Sequence, residues 1–179
     1  MPQIQDAKIL IMATDGFEQS ELLTPRDQLS GKGATVHVAS PDGEDIRGWD
    51  EKDWGETVHA DKAISAQDAD NYDALVLPGG QINPDKLRLN KEALDLIQRF
   101  NQQGKPIAAI CHAPWLLAET GIAKGRTLTA YDSIRTDLRN AGATVVDQEV
   151  VRDENIITSR NPGDLDAFVG EIADAVAGS

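Results

Sequence analysis

Apolar runs alternate with stretches of helical period along most of the chain. Lys8-Ile9-Leu10-Ile11-Met12-Ala13 is apolar at all but its first position, the pattern of a strand covered on both faces. Asp15-Gly16 breaks it, and residues 18–32 read as a helix with Leu22, Leu23 and Leu29 on one side and Gly31 and Gly33 at its end. Pro25 falls inside that helix and predicts a kink or a late start. Thr35-Val36-His37-Val38-Ala39-Ser40 reads as a second strand, and Ala74-Leu75-Val76-Leu77-Pro78 as a third, closed by Gly79-Gly80. Gly104-Lys105-Pro106 turns the chain into Ile107-Ala108-Ala109-Ile110, an all-apolar strand, with Cys111 directly after it.

Residues 89–103 form the clearest amphipathic helix, with Leu94, Ile97 and Phe100 facing inward. Shorter helices are expected at 113–119, capped by Gly121, at 133–140 with Ser133 as N-cap and Gly142 at the end, and at 164–177. Short strands are expected at 127–130, 145–146, 150–151 and 156–159, the last two turning at Asp153-Glu154-Asn155. The segment 41–60 breaks this rhythm with three glycines, Trp49 and Trp54 and many charges, and reads as a hairpin or excursion. Strands separated by helices predict a mostly parallel sheet with helices on both faces. No repeat, low-complexity tract or linker divides residues 1–179, so one domain is expected. Ligands bind such sheets beyond the carboxyl ends of the strands, which singles out the loop 15–18, Gly79-Gly80 and Cys111.

Composition narrows the function classes. With 40% hydrophobic and 26% charged residues, the chain has the make-up of a soluble globular protein. No apolar run approaches the ~20 residues of a membrane helix. The N-terminus lacks a basic n-region and a small-residue cleavage site, so a cytoplasmic protein is expected. A net charge of −13 repels phosphate backbones and argues against a nucleic-acid partner. One cysteine cannot form an internal disulfide, and His37, His59 and His112 lack metal-ligand spacing, so neither a metal nor another cofactor is expected.

A lone cysteine is either a small buried hydrophobe or a nucleophile. Cys111 stands where a buried strand meets a helix, the position at which a tight turn presents a nucleophile at the top of a sheet. A helix starting near Pro114 would favour its thiolate through the helix dipole. Gly79-Gly80 is a turn that needs positive φ, and the N–H groups of Gly80 and His112 are candidates for an oxyanion hole. Glu18 reads either as a first-turn helix carboxylate or as an acid buried against the thiol and holding a proton, with Glu21 one turn on as support or a solvated neighbour. Adjacent side chains usually diverge, but a bent elbow can bring the His112 imidazole to the sulfur, which makes it the default base.

The stretches Asp15-Gly16-Phe17-Glu18, Leu77-Pro78-Gly79-Gly80, Pro84-Asp85-Lys86-Leu87-Arg88 and Ala109-Ile110-Cys111-His112-Ala113-Pro114 resemble the PfpI (ThiJ) family of intracellular peptidases and protein deglycases. So do Ala141-Gly142-Ala143, Asp147-Gln148-Glu149-Val150-Val151 and Ser159-Arg160-Asn161-Pro162-Gly163-Asp164-Leu165, in order over essentially the whole chain. The resemblance implies a flavodoxin-like three-layer sandwich of the class I glutamine-amidotransferase type. It carries the family's nucleophile to Cys111, its histidine to His112, its buried proton-sharing acid to Glu18 and its oxyanion-hole glycine to Gly80. In the peptidase branch a carboxylate completes the triad across a subunit interface; that position matches Asp85, which would then stand near His112 of the partner subunit in a homodimer or higher homo-oligomer. Trp115 is bulkier than the resemblance leads one to expect and is a candidate for shaping the pocket.

The expected function is a stress-related cysteine-dependent hydrolase acting on a carbonyl carbon of a small carbonyl compound or a peptide. Two reactions fit, peptide hydrolysis through a thioester and conversion of an α-oxoaldehyde, or its early protein adduct, to a hydroxy acid. The alternative is a redox sensor or chaperone built on an oxidisable Cys111 without turnover. A glutamine amidotransferase would need a late histidine, and none follows His112.

Overall fold

The computed structural model describes residues 2–178. Its strands are β1 (Lys8–Met12), β2 (Thr35–Ser40), β3 (Ile46–Asp50), β4 (Asp53–Val58), β5 (Lys62–Ala63), β6 (Ala74–Leu77), β7 (Ile107–Ile110), β8 (Thr127–Leu128), β9 (Thr144–Val145), β10 (Val151–Asp153) and β11 (Ile156–Ser159). Seven of them form one sheet in the order β10-β11-β7-β6-β1-β2-β5. Every pairing in it is parallel except β10 with β11, which close the edge as an antiparallel hairpin. β3 and β4 make a separate hairpin, and β8 pairs with β9.

The continuous apolar strands give the layered core directly. In β1, Ile9 and Ile11 enter one hydrophobic cluster while Leu10 and Met12 enter the other, and all four are fully buried. A strand's period of two sends alternate side chains to opposite faces, so a strand apolar throughout must be covered on both. One face is covered by α1 (Gln19–Gly31) and α6 (Leu165–Ala177), through Leu22, Leu29, Phe168, Val169 and Ile172. The other is covered by α3 (Lys91–Gln102) and α4 (Trp115–Glu119), through Leu96, Ile97, Phe100, Leu116 and Leu117. Burying each such side chain contributes roughly 1.5–3 kcal/mol. This is the mostly parallel, flavodoxin-like sandwich with helices on both faces. Among the described residues no helix is long and apolar enough to cross a membrane.

Several local expectations are corrected. α1 runs on through Pro25, which is buried with Glu21, Leu22 and Leu29; the missing N–H costs one helical bond while the ring joins the packed face. The amphipathic helix is shorter than 89–103 because the Asn90 side chain accepts from Ala93 N–H at 3.0 Å and sets the start; Leu89 is left out and exposed. Ile97 and Phe100 face inward as expected, joined by Ala93 and Leu96, while Leu94 is only partly buried. The helix after Cys111 spans only the five residues Trp115–Glu119, preceded by turn residues, so little macrodipole is available to the thiol. A short helix, α2 (Ile82–Leu87), and the edge strand β5 have no counterpart in the pattern reading. α2 tolerates Pro84 because first-turn N–H groups lack helical partners anyway. Finally, Ser133 lies in a 3-10 turn, Asp132–Ile134, before α5 (Arg135–Asn140), and no side chain caps that helix.

Candidate active site

The chain order reverses across the sheet between β1 and β6, and the crevice at their carboxyl ends is where such sheets bind ligands. Two loops close over it. Glu18 N–H donates to Gly79 C=O at 3.2 Å, and buried Asn83 ties the same loops together, accepting from Thr14 N–H at 2.8 Å and donating to Pro78 C=O at 2.9 Å. A cavity of about 700 Å³ opens there, with Gly80, Cys111 and His112 at its floor.

Cys111 has φ 64°, a left-handed conformation that L residues with a Cβ rarely adopt. Such strain costs of order 1–3 kcal/mol and persists only where the surroundings hold it. They do so here: Cys111 N–H donates to Ser159 C=O at 3.0 Å, and Cys111 C=O accepts from Tyr131 N–H at 2.9 Å. The bend also brings neighbouring side chains together. His112 Nδ1 lies 3.1 Å from Cys111 Sγ, and Nε2 lies 3.3 Å from Ser133 Oγ. The imidazole stacks on Tyr131 at 4.6 Å between ring centroids and meets Trp115 edge-on at 5.2 Å. Burial lowers its pKa, which keeps it neutral at physiological pH.

The buried carboxyl beside the thiol is Glu21, not Glu18. α1 begins at Gln19, which puts Glu21 in its first turn on the same inward face as Leu22, Pro25 and Leu29; Glu18, at the N-cap, points out along the rim. Glu21 is fully buried, and its Oε1 accepts from Gly79 N–H at 3.1 Å. A Cβ added to Gly79 would stand 2.6 Å from both Glu21 Oε1 and Cys111 Cβ, so carboxyl and cysteine flank one spot that only glycine leaves open. Burial, and then the charge of Glu18, raise the Glu21 pKa to about 8. Burial also pushes the Cys111 thiol up, with the Glu21 charge next, while the nearby N–H groups of Gly80 and His112 act the other way. Two anions this close in an apolar floor repel, so the pair holds at least one proton at neutral pH.

Glu18 is half-buried and accepts from Glu51 N–H through Oε1 at 3.3 Å. Burial raises its pKa; the Glu51 N–H opposes this, and the charges of Asp50 and Glu51 add to it. Gly80 has φ 79°, and a Cβ there would lie 2.6 Å from Glu18 N and Gly16 O, so the turn admits only glycine. Asp85 is exposed on α2 and does not line the cavity. Trp115 does not line it either; it donates from Nε1 to Asp137 at 3.0 Å, with the Arg88 guanidinium 5.4 Å above its ring.

The 41–60 excursion is the β3–β4 hairpin and forms a wall of the cavity through Trp49 and Glu51. Trp49 N–H donates to Phe17 C=O at 2.7 Å, which fastens the hairpin to the loop after β1. Tyr131, Asn161 and Pro162 line the remaining side. Sequence reasoning placed the buried acid at Glu18 and left Glu21 as support or a solvated neighbour, although the spacing 21, 25, 29 puts Glu21 on one helical face with Pro25 and Leu29. Tyr131 and Ser133 gave no signal, because their place depends on the 130–135 turn folding back onto the elbow.

A family model described as the DJ-1/PfpI family matches residues 7–175. The chain is 44% identical over 164 residues to "Deglycase TK1284" of Thermococcus kodakarensis, covering 92% of this chain and 96% of that one. It is 43% identical over 162 residues to "Putative cysteine protease YraA" of Bacillus subtilis, covering 90% and 93%. Among solved structures, a two-domain protein from Anabaena variabilis with DJ-1/ThiJ/PfpI-like and ferritin-like domains matches with a TM-score of 0.91 and 34% identity, over 96% of this chain and 48% of that one. The chain thus spans about half the length of that protein. With the fold, the glycine turn and the strained cysteine in place, the chain belongs to the DJ-1/PfpI family.

Proposed function

We propose that the protein is a cysteine-dependent enzyme that converts α-oxoaldehydes, free or as early adducts on amines, to hydroxy acids. The observation that carries this reading is the floor of the cavity: a thiol 3.1 Å from a neutral imidazole and flanked by a carboxyl that keeps its proton to about pH 8. Isomerising an oxoaldehyde needs a nucleophile for the aldehyde carbon and groups that move a proton between adjacent carbons. Likeness to a relative named deglycase supports the same reading.

The Cys111 sulfur attacks the aldehyde carbon, its proton passing through His112 Nδ1 to the carbonyl oxygen to give a hemithioacetal. With an amine adduct the same attack displaces the free amine. The hydrogen on the former aldehyde carbon leaves as a proton and returns to the neighbouring carbon, leaving a thioester to the hydroxy acid. Water hydrolyses it and regenerates the thiol, so the sum is oxoaldehyde plus water to hydroxy acid, with no external oxidant or reductant. Glu21 is assigned the proton held against the sulfur, His112 the transfer, and the Gly80 and His112 N–H groups the developing oxyanion.

The test is turnover of methylglyoxal to lactate by the wild type and by Cys111→Ser, with casein digestion alongside. Lactate formation lost in the variant supports the proposal. Cysteine-dependent casein cleavage without lactate would replace it with the peptidase reading, towards which the name of the Bacillus subtilis relative points.

A further inference from the structure

We infer that Ser133 is a positioning residue that fixes the tautomer of His112 from within the same chain. This rests on the reading of Cys111 and His112 as the reacting pair, and goes beyond it by naming what orients the imidazole. Resemblance assigns that task to a carboxylate at Asp85 from a second copy of the chain. In this fold the outer ring nitrogen already has a partner: Nε2 faces Ser133 Oγ at 3.3 Å, while Nδ1 faces the sulfur at 3.1 Å. A neutral imidazole carries one N–H, and its position is set by the partner of the other nitrogen. A hydroxyl can donate or accept; because burial keeps the Cys111 thiol protonated, its S–H faces the Nδ1 lone pair, and the Ser133 hydroxyl then accepts from Nε2–H, which completes the tautomer that can take the thiol proton.

Three observations support this role for Ser133. First, it stands one residue before the N-cap of α5 yet caps nothing, and that helix start has no side-chain cap at all. A serine cap is worth about 1 kcal/mol, which makes its absence a local departure from good helix chemistry at the site. Second, the turn that carries Ser133 is tied to the elbow itself, through Tyr131 N–H to Cys111 C=O at 2.9 Å. Third, Arg135 clamps that turn from behind, donating from Nε to Ala130 C=O at 3.1 Å and pairing through Nη2 with Asp132 at 2.8 Å and Asp147 at 3.0 Å. Asp147 is shared with Arg160 at 2.9 Å, whose other carboxylate partner is Asp164, so the support runs on to the loop carrying Asn161 and Pro162. Tyr131 stacking holds the ring plane, so that Nε2 stays directed at the Ser133 hydroxyl.

The experiment reads the imidazole nitrogens of His112 by NMR at neutral pH in the wild type, Ser133→Ala, Ser133→Thr and Asp85→Asn, which needs no turnover. The expected result is hydrogen on Nε2 in the wild type, an averaged tautomer in Ser133→Ala, and the wild-type pattern in the other two. Methylglyoxal kinetics accompany it: kcat falls about tenfold in Ser133→Ala with KM changed by less than about twofold, and Ser133→Thr recovers most of the loss. Hydrogen on Nδ1 in the wild type, an unmoved spectrum in Ser133→Ala, or a larger shift in Asp85→Asn than in Ser133→Ala would each overturn the inference. If the wild type makes no lactate, the proposed function falls and the NMR result still decides the role of Ser133.

Discussion

Glu18 lines the rim of the cavity, while Glu21, three positions on, lies fully buried beneath its floor beside Gly79 and Cys111, and their surroundings give them different chemistry. Glu21 lies on the inward face of α1, in contact with the loop after β6, and burial, reinforced by the charge of Glu18, keeps it protonated to about pH 8. Glu18 faces the hairpin and keeps part of its surface in water, a hydrogen bond from Glu51 and two acidic neighbours. Floor residues follow the ends of fully buried strands, β6 before Gly79 and Gly80 and β7 before Cys111. Rim residues come from separate loops and the β3–β4 hairpin. The floor is therefore suited to proton and sulfur chemistry, and the rim to selecting what reaches it.

The sharpest way to break this division is Cys111→Ser, which should lower lactate formation from methylglyoxal by about a thousandfold or more, since the remaining groups supply no comparable nucleophile. Substitution at the joint between floor and rim should come next. Gly80→Ala forces a Cβ to within 2.6 Å of two backbone atoms at φ 79°, and a loss of about 3 kcal/mol in urea unfolding is expected.

The two carboxyls should separate by their effect on pH dependence. The folded-state pKa of Glu21, about 8, lies above its ordinary 4.5, so between these values the folded protein holds a proton that the unfolded chain has released. Its contribution to stability is full below pH 4.5 and is lost as pH rises towards 8, at up to about 1.4 kcal/mol per pH unit. Glu21→Gln should flatten that slope in denaturant titrations run across the window, and Glu18→Gln should leave most of it.

The smallest effect concerns the rim. Among the described residues the cavity lining carries two carboxylates, Glu18 and Glu51, and no Lys or Arg. Arg47, on the same hairpin, is engaged on the Gly55 carbonyl at 3.2 Å and over the Trp54 ring. Cys111 should therefore react several-fold faster with trimethylammonioethyl methanethiosulfonate than with its sulfonatoethyl counterpart, each rate referenced to mercaptoethanol. Glu51→Gln should shrink that ratio, and added salt should shrink it further.

Much of the fold was legible because the main strands are apolar throughout, and only a sheet covered on both faces accommodates that pattern. Thr35–Ser40 and Ile107–Ile110 begin and end where the pattern puts them. α2 escaped because six residues around Pro84 give too few turns for a helical period to register. At the site, the elbow at Cys111 and the glycine turn were legible from their position after buried strands. The choice between Glu18 and Glu21 was not, because a helix begun at Glu18 would put both carboxylates on the inward side, and only the extended N-cap backbone of Glu18 turns it out to the rim. Ser133 was read as a cap because a serine before a helix usually is one; its hydroxyl faces His112 instead, a contact set by tertiary folding across 21 positions of sequence.

Infrared difference spectroscopy of the carboxyl groups tests the central claim most directly. The account predicts a protonated-carboxyl C=O band at neutral pH that titrates near pH 8, disappears in Glu21→Gln and persists in Glu18→Gln. A band absent at neutral pH, or one that survives Glu21→Gln and vanishes with Glu18→Gln, would contradict it.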